Sequence, residues 1–134
     1  MIIANGFGEI FDTLDFTDSI VEQISWENDL LDLVLTVDYY FDSGECNLLK
    51  IRFKDCLKAD FLLTDNLLSI QEEEKRSYSM SWYTIQNYRL VKDSDFIKKC
   101  NRPDLLHIEI YTVDQEVPWL SIVSKGVTVE KFSE

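Results

Sequence analysis

Hydrophobic and polar positions alternate most cleanly over residues 31–41. Leu31, Leu33, Leu35, Val37, Tyr39 and Phe41 fall on one face, and Asp32, Thr36 and Asp38 on the other. Successive side chains of a strand point to opposite sides of its sheet. A period of two in residue types that favour β structure therefore predicts a strand with one buried face. The run stops at Asp42-Ser43-Gly44, residue types that favour a turn. It resumes at Leu49-Lys50-Ile51-Arg52-Phe53-Lys54, with the apolar residues on one side and the three bases on the other. Two alternating runs around a glycine-containing turn predict an antiparallel hairpin. Its first strand is acidic on the outer face and its second basic. Opposite charges facing each other across strands contribute about 0.2–1 kcal/mol a pair and help to set register.

Other strand signals are shorter. Ile20, Ile24 and Trp26 occupy alternate positions of residues 19–27, with Glu22 as the exception, before a turn at Asn28-Asp29. Residues 7–11 read as a short first strand, 59–63 as another, and 82–91 as a longer one rich in aromatic and β-branched types. Leu106, Ile108 and Ile110 alternate with His107, Glu109 and Tyr111. Residues 119–123 and 127–132 form a last pair of strands around a turn at Ser124-Lys125-Gly126. Residues 66–76 fit either a turn or two of helix or a strand followed by a polar loop. Residues 94–100 predict a helix, with Ser94 as N-cap, Asp95 in the first turn, Lys98 and Lys99 near the end, and Asn101 and Pro103 stopping it. Many short strands with close turns give a mostly β fold, α+β at the margin. The expected form is an antiparallel sheet or β-sandwich with one or two short helices, with residues 1–134 as a single domain.

Composition agrees with a packed globule. The chain has 134 residues, 46% hydrophobic and 13% aromatic, so a core of its own is expected without disulfides or a structural metal. The start of the chain lacks the basic segment and long apolar run of a secretory signal. The longest apolar stretch, 30–41, is broken by Asp32 and Asp38 and is shorter than the roughly 20 residues that cross a bilayer. Three cysteines at unrelated spacings and one histidine disfavour a Cys/His zinc site. Reduced thiols in a cytoplasmic protein are expected.

Motifs for catalysis are missing. His107 sits on a predicted strand with Glu109 on the same face, the placement of a cross-strand histidine without a recognisable nucleophile. Asp12, Asp15 and Asp18 lack the pattern of a calcium loop, and Gly6-x-Gly8 lacks the lysine and third glycine of a phosphate loop. No catalytic, cofactor-binding or metal-binding residue is expected, and the chain reads as a non-enzyme. Two alternatives stay open: a small carboxylate-based or metal-dependent hydrolase built on scattered acids and His107, and a structural or adaptor homo-oligomer joined through a strand edge.

Charge adds the sharpest feature. The net charge is -12, yet residues 1–49 hold eleven acids and no base, and the remainder is close to neutral with fourteen acids and thirteen bases. An acidic field repels phosphates, so neither nucleic acid nor an anionic membrane is an expected partner. It serves solubility or attracts a basic protein. Tyr40 lies opposite Tyr39 by alternation, beside Asp38 and Asp42, as an aromatic anchor among acids would. The candidate partner-binding residues are accordingly Asp32, Asp38, Tyr40, Asp42 and Glu45.

Phe16-Thr17-Asp18-Ser19, then Ile24 and Trp26, then Leu31-x-Leu33-x-Leu35-x-Val37-Asp38-Tyr39-Tyr40 and Leu49-x-Ile51-x-Phe53-x-x-Cys56 form one series. The series resembles small β-rich bacterial proteins that include immunity proteins encoded beside polymorphic or contact-dependent toxins. It covers roughly residues 16–63. Some relatives carry His-Asp where this chain has Thr17-Asp18. The resemblance implies a protein that neutralises a toxin by tight binding. Such toxins are often basic nucleases, whose clefts an acidic protein blocks by mimicking a phosphate backbone.

Overall fold

The computed structural model describes residues 2–39, 48–62, 71–72, 82–113 and 116–131. Along them run β1 (Ile2–Asn5), α1 (Phe7–Thr13), β2 (Ile20–Glu27), β3 (Asp32–Asp38), β4 (Leu48–Phe61), β5 (Ile85–Leu90), α2 (Asp95–Cys100), β6 (Leu106–Thr112) and β7 (Leu120–Lys131). The strands form one antiparallel sheet in the order β2-β3-β4-β7-β6-β5, with β1 paired to the C-terminal half of β7. The protein is thus mostly β with two short helices, and the first of the two expected arrangements, a single sheet, is the one that forms.

The two ends of this sheet touch. Val21 donates its backbone N–H to the Tyr83 carbonyl at 2.9 Å, Ile85 donates to Ser19 at 2.7 Å and Asp18 to Ile85 at 2.8 Å. These bonds join the start of β2 to the start of β5 and roll the sheet around one apolar interior. The predicted hairpin fills much of it. Leu33 faces Phe53, Leu35 faces Ile51 and Val37 faces Leu49. A one-residue slip would turn this whole set outward, so the alternation itself fixes the register. From β6 and β7, Ile108, Ile110, Leu120, Ile122, Val127 and Val129 complete the buried cluster. Each such side chain contributes about 1.5–3 kcal/mol when fully removed from water.

Three expectations change. Residues 7–11 belong to a helix and not to a strand. Phe7, Ile10, Phe11 and Leu14 recur at helical spacing, and Gly6, at φ 87°, turns the chain out of β1 in a conformation open to glycine. Ile10 is buried, with Phe7 and Leu14 packed against the core, so α1 plugs one opening of the rolled sheet. Between Phe7, Ile10, Phe16, Ile51, Phe53 and Tyr88 an apolar cavity of about 30 Å³ remains. That is room for little more than one water molecule.

Second, residues 59–61 of the strand expected over 59–63 are the end of β4, and residue 63 lies outside the described residues. A bulge between Cys56 and Lys58, with Asp55 at φ 47°, breaks the alternation without ending the strand. Third, Ser124-Lys125-Gly126 is not a turn. It lies inside β7, where Ser124 faces Cys56 and Gly126 faces Lys54. The inward set changes there from Leu120 and Ile122 to Val127 and Val129, an odd step that imitates a turn in the sequence. Helix α2 forms as expected. Ser94 Oγ accepts from the Ile97 N–H at 3.3 Å, and Asn101 closes it in the left-handed conformation. Residues 66–70 and 73–76 lie outside the described residues.

The hairpin's charges converge on one arginine. Arg52 donates to Glu130 at 2.7 Å, to Glu27 at 2.8 Å and to Asp32 at 3.2 Å. Its guanidinium is mostly buried, and three carboxylates hold its pKa above the ordinary arginine value, with Glu130 the largest contributor. Burial pushes the Asp32 carboxyl up. Hydrogen bonds from the Asp55 N–H, Asn28 and Arg52 outweigh that and leave its pKa below the usual carboxylate value. Removing one partner of a buried charge pair strands the other. Arg52→Ala should therefore destabilise the fold by about 3 kcal/mol, read as a lower urea midpoint. A change below about 1 kcal/mol would mean that the cluster is solvated and has little structural weight.

Candidate binding surface

The acids of the N-terminal half separate into two groups. Glu27 and Asp32 are used internally, on Arg52. Glu9, Asp12, Asp15, Asp18 and Glu22 are all exposed, and none forms an ion pair with a described residue. Elsewhere acids and bases pair locally: Arg89 with Glu109, Lys98 with Asp93, Arg102 with Asp104, Lys58 with Asp60. The sequence asymmetry thus becomes, among the described residues, a surface along α1 and the start of β2 whose acids form no ion pairs.

Local structure holds that surface in place. Asp15 Oδ1 accepts from the Thr17 N–H at 3.0 Å, and hydrogen bonding to Thr17 holds its carboxyl below the usual pKa. The Tyr39 hydroxyl accepts from the Asp15 N–H at 3.0 Å, and the Tyr88 hydroxyl donates to the Leu14 carbonyl at 2.9 Å. Beneath lies an aromatic platform. Tyr88 meets Phe7, Phe11 and Phe16 edge-on at 5.8–6.2 Å between centroids, and Phe16 meets Tyr39 at 5.3 Å. Phe11 stacks on Phe7 yet leaves 57% of its surface exposed. Asp12 stands near the C-terminal end of α1, where the helix dipole disfavours a carboxylate and no base compensates. Like charges gathered on one segment repel one another in the free fold and attract a positive partner.

The residues expected from sequence are distributed differently. Asp32 is 5% exposed, with its oxygens bonded to Asn28, Arg52 and the Asp55 N–H, so it is a structural acid and not a surface one. The outward face of β3 is covered: Val34 is fully buried and Thr36 nearly so. That is why alternation alone misplaced Asp32. Asp38 is half-buried at the end of β3, opposite Ile20 and Leu48. Tyr40, Asp42 and Glu45 lie outside the described residues. A strand over residues 7–11 gives Phe11 no distinct place. The helical spacing of positions 7, 10, 11 and 14 was the signal for it.

His107 is bonded away from this segment, to α2 and β7. Its Nδ1 is 2.6 Å from Ser94 Oγ and its Nε2 is 2.7 Å from Ser121 Oγ. It does not bond to Glu109, which accepts from Arg89 at 2.8 Å and from Tyr111 at 3.0 Å. Ser94 caps α2, so the imidazole ties that helix to β6 and β7. Among the described residues no three His, Cys, Asp or Glu side chains converge closely enough to hold a metal ion. No helix among them is long and apolar enough to cross a membrane. The sequence matches no protein-family model and no curated protein.

Burial lowers the His107 pKa, opposed by the Glu109 charge and reinforced by Lys58 and Arg89. A folded pKa below the unfolded value means that the neutral ring stabilises the fold at pH above the unfolded pKa, and that this is lost as pH falls through the folded pKa. The urea midpoint should fall from about pH 7 to about pH 5, and His107→Gln should flatten that decline. An unchanged slope in the variant would assign the pH dependence to other groups.

Proposed function

We propose that this is a non-enzymatic binding protein that captures a basic protein partner on α1 and the acidic segment running into β2. One observation carries the proposal: the segment from α1 to the start of β2 exposes five carboxylates, Glu9, Asp12, Asp15, Asp18 and Glu22, together with Phe11, and none of the five pairs with a described base. Their shared field speeds encounter with a positive surface and rejects acidic ones. Phe11, backed by Phe7 and Tyr88, supplies the desolvated aromatic anchor that charged rims surround in protein interfaces.

The partner that fits best is the C-terminal domain of a bacterial toxin of the nuclease kind, as the resemblance to immunity proteins suggests. A nuclease cleft is basic because it holds phosphates. Carboxylates seated there replace those phosphates and exclude the nucleic acid. The protein then acts as an inhibitor in the cytoplasm. Cys56 and Cys100, both free thiols, are compatible with that compartment.

The test is a capture from native lysate on tagged protein, washed at low and at high salt, beside a variant with Glu9→Gln, Asp12→Asn, Asp15→Asn and Asp18→Asn. A basic protein should be held at low salt by the native chain and lost by the variant. Phe11→Ala should weaken the same complex by roughly thirtyfold, about 2 kcal/mol. If the variant holds the same protein equally well, or if nothing specific is held, the proposal fails. A toxin reading frame beside this gene allows a second check, survival of cells that co-express the two.

A further inference from the structure

Among the described residues, the edge of β2 beyond Val21 has no strand partner. Its first residues are held by 83–85, but over residues 22–27 no described strand continues the sheet on that side. Glu22, Gln23, Ile24 and Trp26 are exposed. Natural sheets blunt such edges with Lys, Pro, or a covering element. This one carries neither residue. It carries Glu22 and Glu27, and a bulge between Val21 and Gln23 lies where closure ends.

Ile24 and Trp26 sit opposite Leu35 and Leu33, whose side chains belong to the interior. Cross-strand partners share a sheet face, so Ile24 and Trp26 continue the core row past the seam, 39% and 44% exposed. An added strand would extend that face and cover them. The turn after β2 adds to the same end. Asn28, Asp29 and Leu30 all take positive φ, and Leu30 at φ 68° is 72% exposed, a strained conformation for a leucine with no burial to offset it. The Leu31 carbonyl accepts from the Cys56 N–H at 2.7 Å, which sets this turn against the β4 bulge with exposed Leu57.

We infer that the open edge of β2 receives an extended strand of the basic partner, whose apolar residues cover Ile24 and Trp26 while its lysines or arginines meet Asp18, Glu22 and Asp29. Charge selects this occupant. A second copy of the chain would bring its own acids against the same acids, and its net charge is -12. The inference rests on the proposed capture of a basic protein and names its mode, strand addition.

Two synthetic ten-residue peptides of alternating Lys and Val test it at low salt, one unmodified and one with every internal backbone nitrogen methylated. Charge and side chains are the same in both, but the second has no donors for a ladder. The unmodified peptide should bind at least tenfold more tightly, slow hydrogen exchange at residues 22–27 and shift Trp26 fluorescence. The double variant Ile24→Gln, Trp26→Gln changes exposed positions only and should abolish that preference. If both peptides bind equally, strand addition is overturned while acidic capture stands. If neither binds, both fall. Concentration-dependent dimerisation that protects residues 22–27 without peptide would overturn the inference in favour of a second copy.

Discussion

Three backbone hydrogen bonds between residues 18–21 and 83–85 decide what this sheet becomes. Left open, a sheet with one apolar face needs a second layer to cover it. Rolled until its ends meet, it covers itself. The interior row from β3, β4, β6 and β7 then becomes a single core, and the short helix α1 suffices to plug one opening. The same seam holds Asp18 on Ile85 and leaves Asp15, Asp18 and Glu22 exposed. Because it stops at Val21, it also leaves the remainder of β2 as an edge. Core, acidic surface and open edge are three consequences of one partial closure.

The distribution of charge follows the same division. Acids that face the outside of the hairpin are drawn onto Arg52, where burial makes each hydrogen bond stronger and each unpaired oxygen costly. Acids on α1 and the seam have no such partner among the described residues, and they stay in water. The first group gives structure and costs nothing in solubility. In the second, Asp15 is held by Thr17, and none of the five forms an ion pair with a described residue. The aromatic platform of Phe7, Phe16, Tyr39 and Tyr88 links them, since it is core on one side and support for Phe11 on the other.

Much of this was legible in the residues. The alternation through Leu33, Leu35 and Val37 and through Leu49, Ile51 and Phe53 determined the hairpin, its register and its buried face, because a period of two admits one way of hiding those side chains. Ser94, Asp95, Lys98 and Asn101 determined α2, because capping and helix dipole act within a single turn of chain. The absence of bases before Lys50 determined an acidic half. What the sequence misled on were β4 and β7, where a bulge and an odd step imitate chain ends, and α1, where five residues suit either period. Only the tertiary structure decided that Asp32 is an internal ligand of Arg52 while Glu9, Asp12 and Asp15 remain outside. A carboxylate's role depends on what covers it and which charge it meets, and both come from strands far away in the chain.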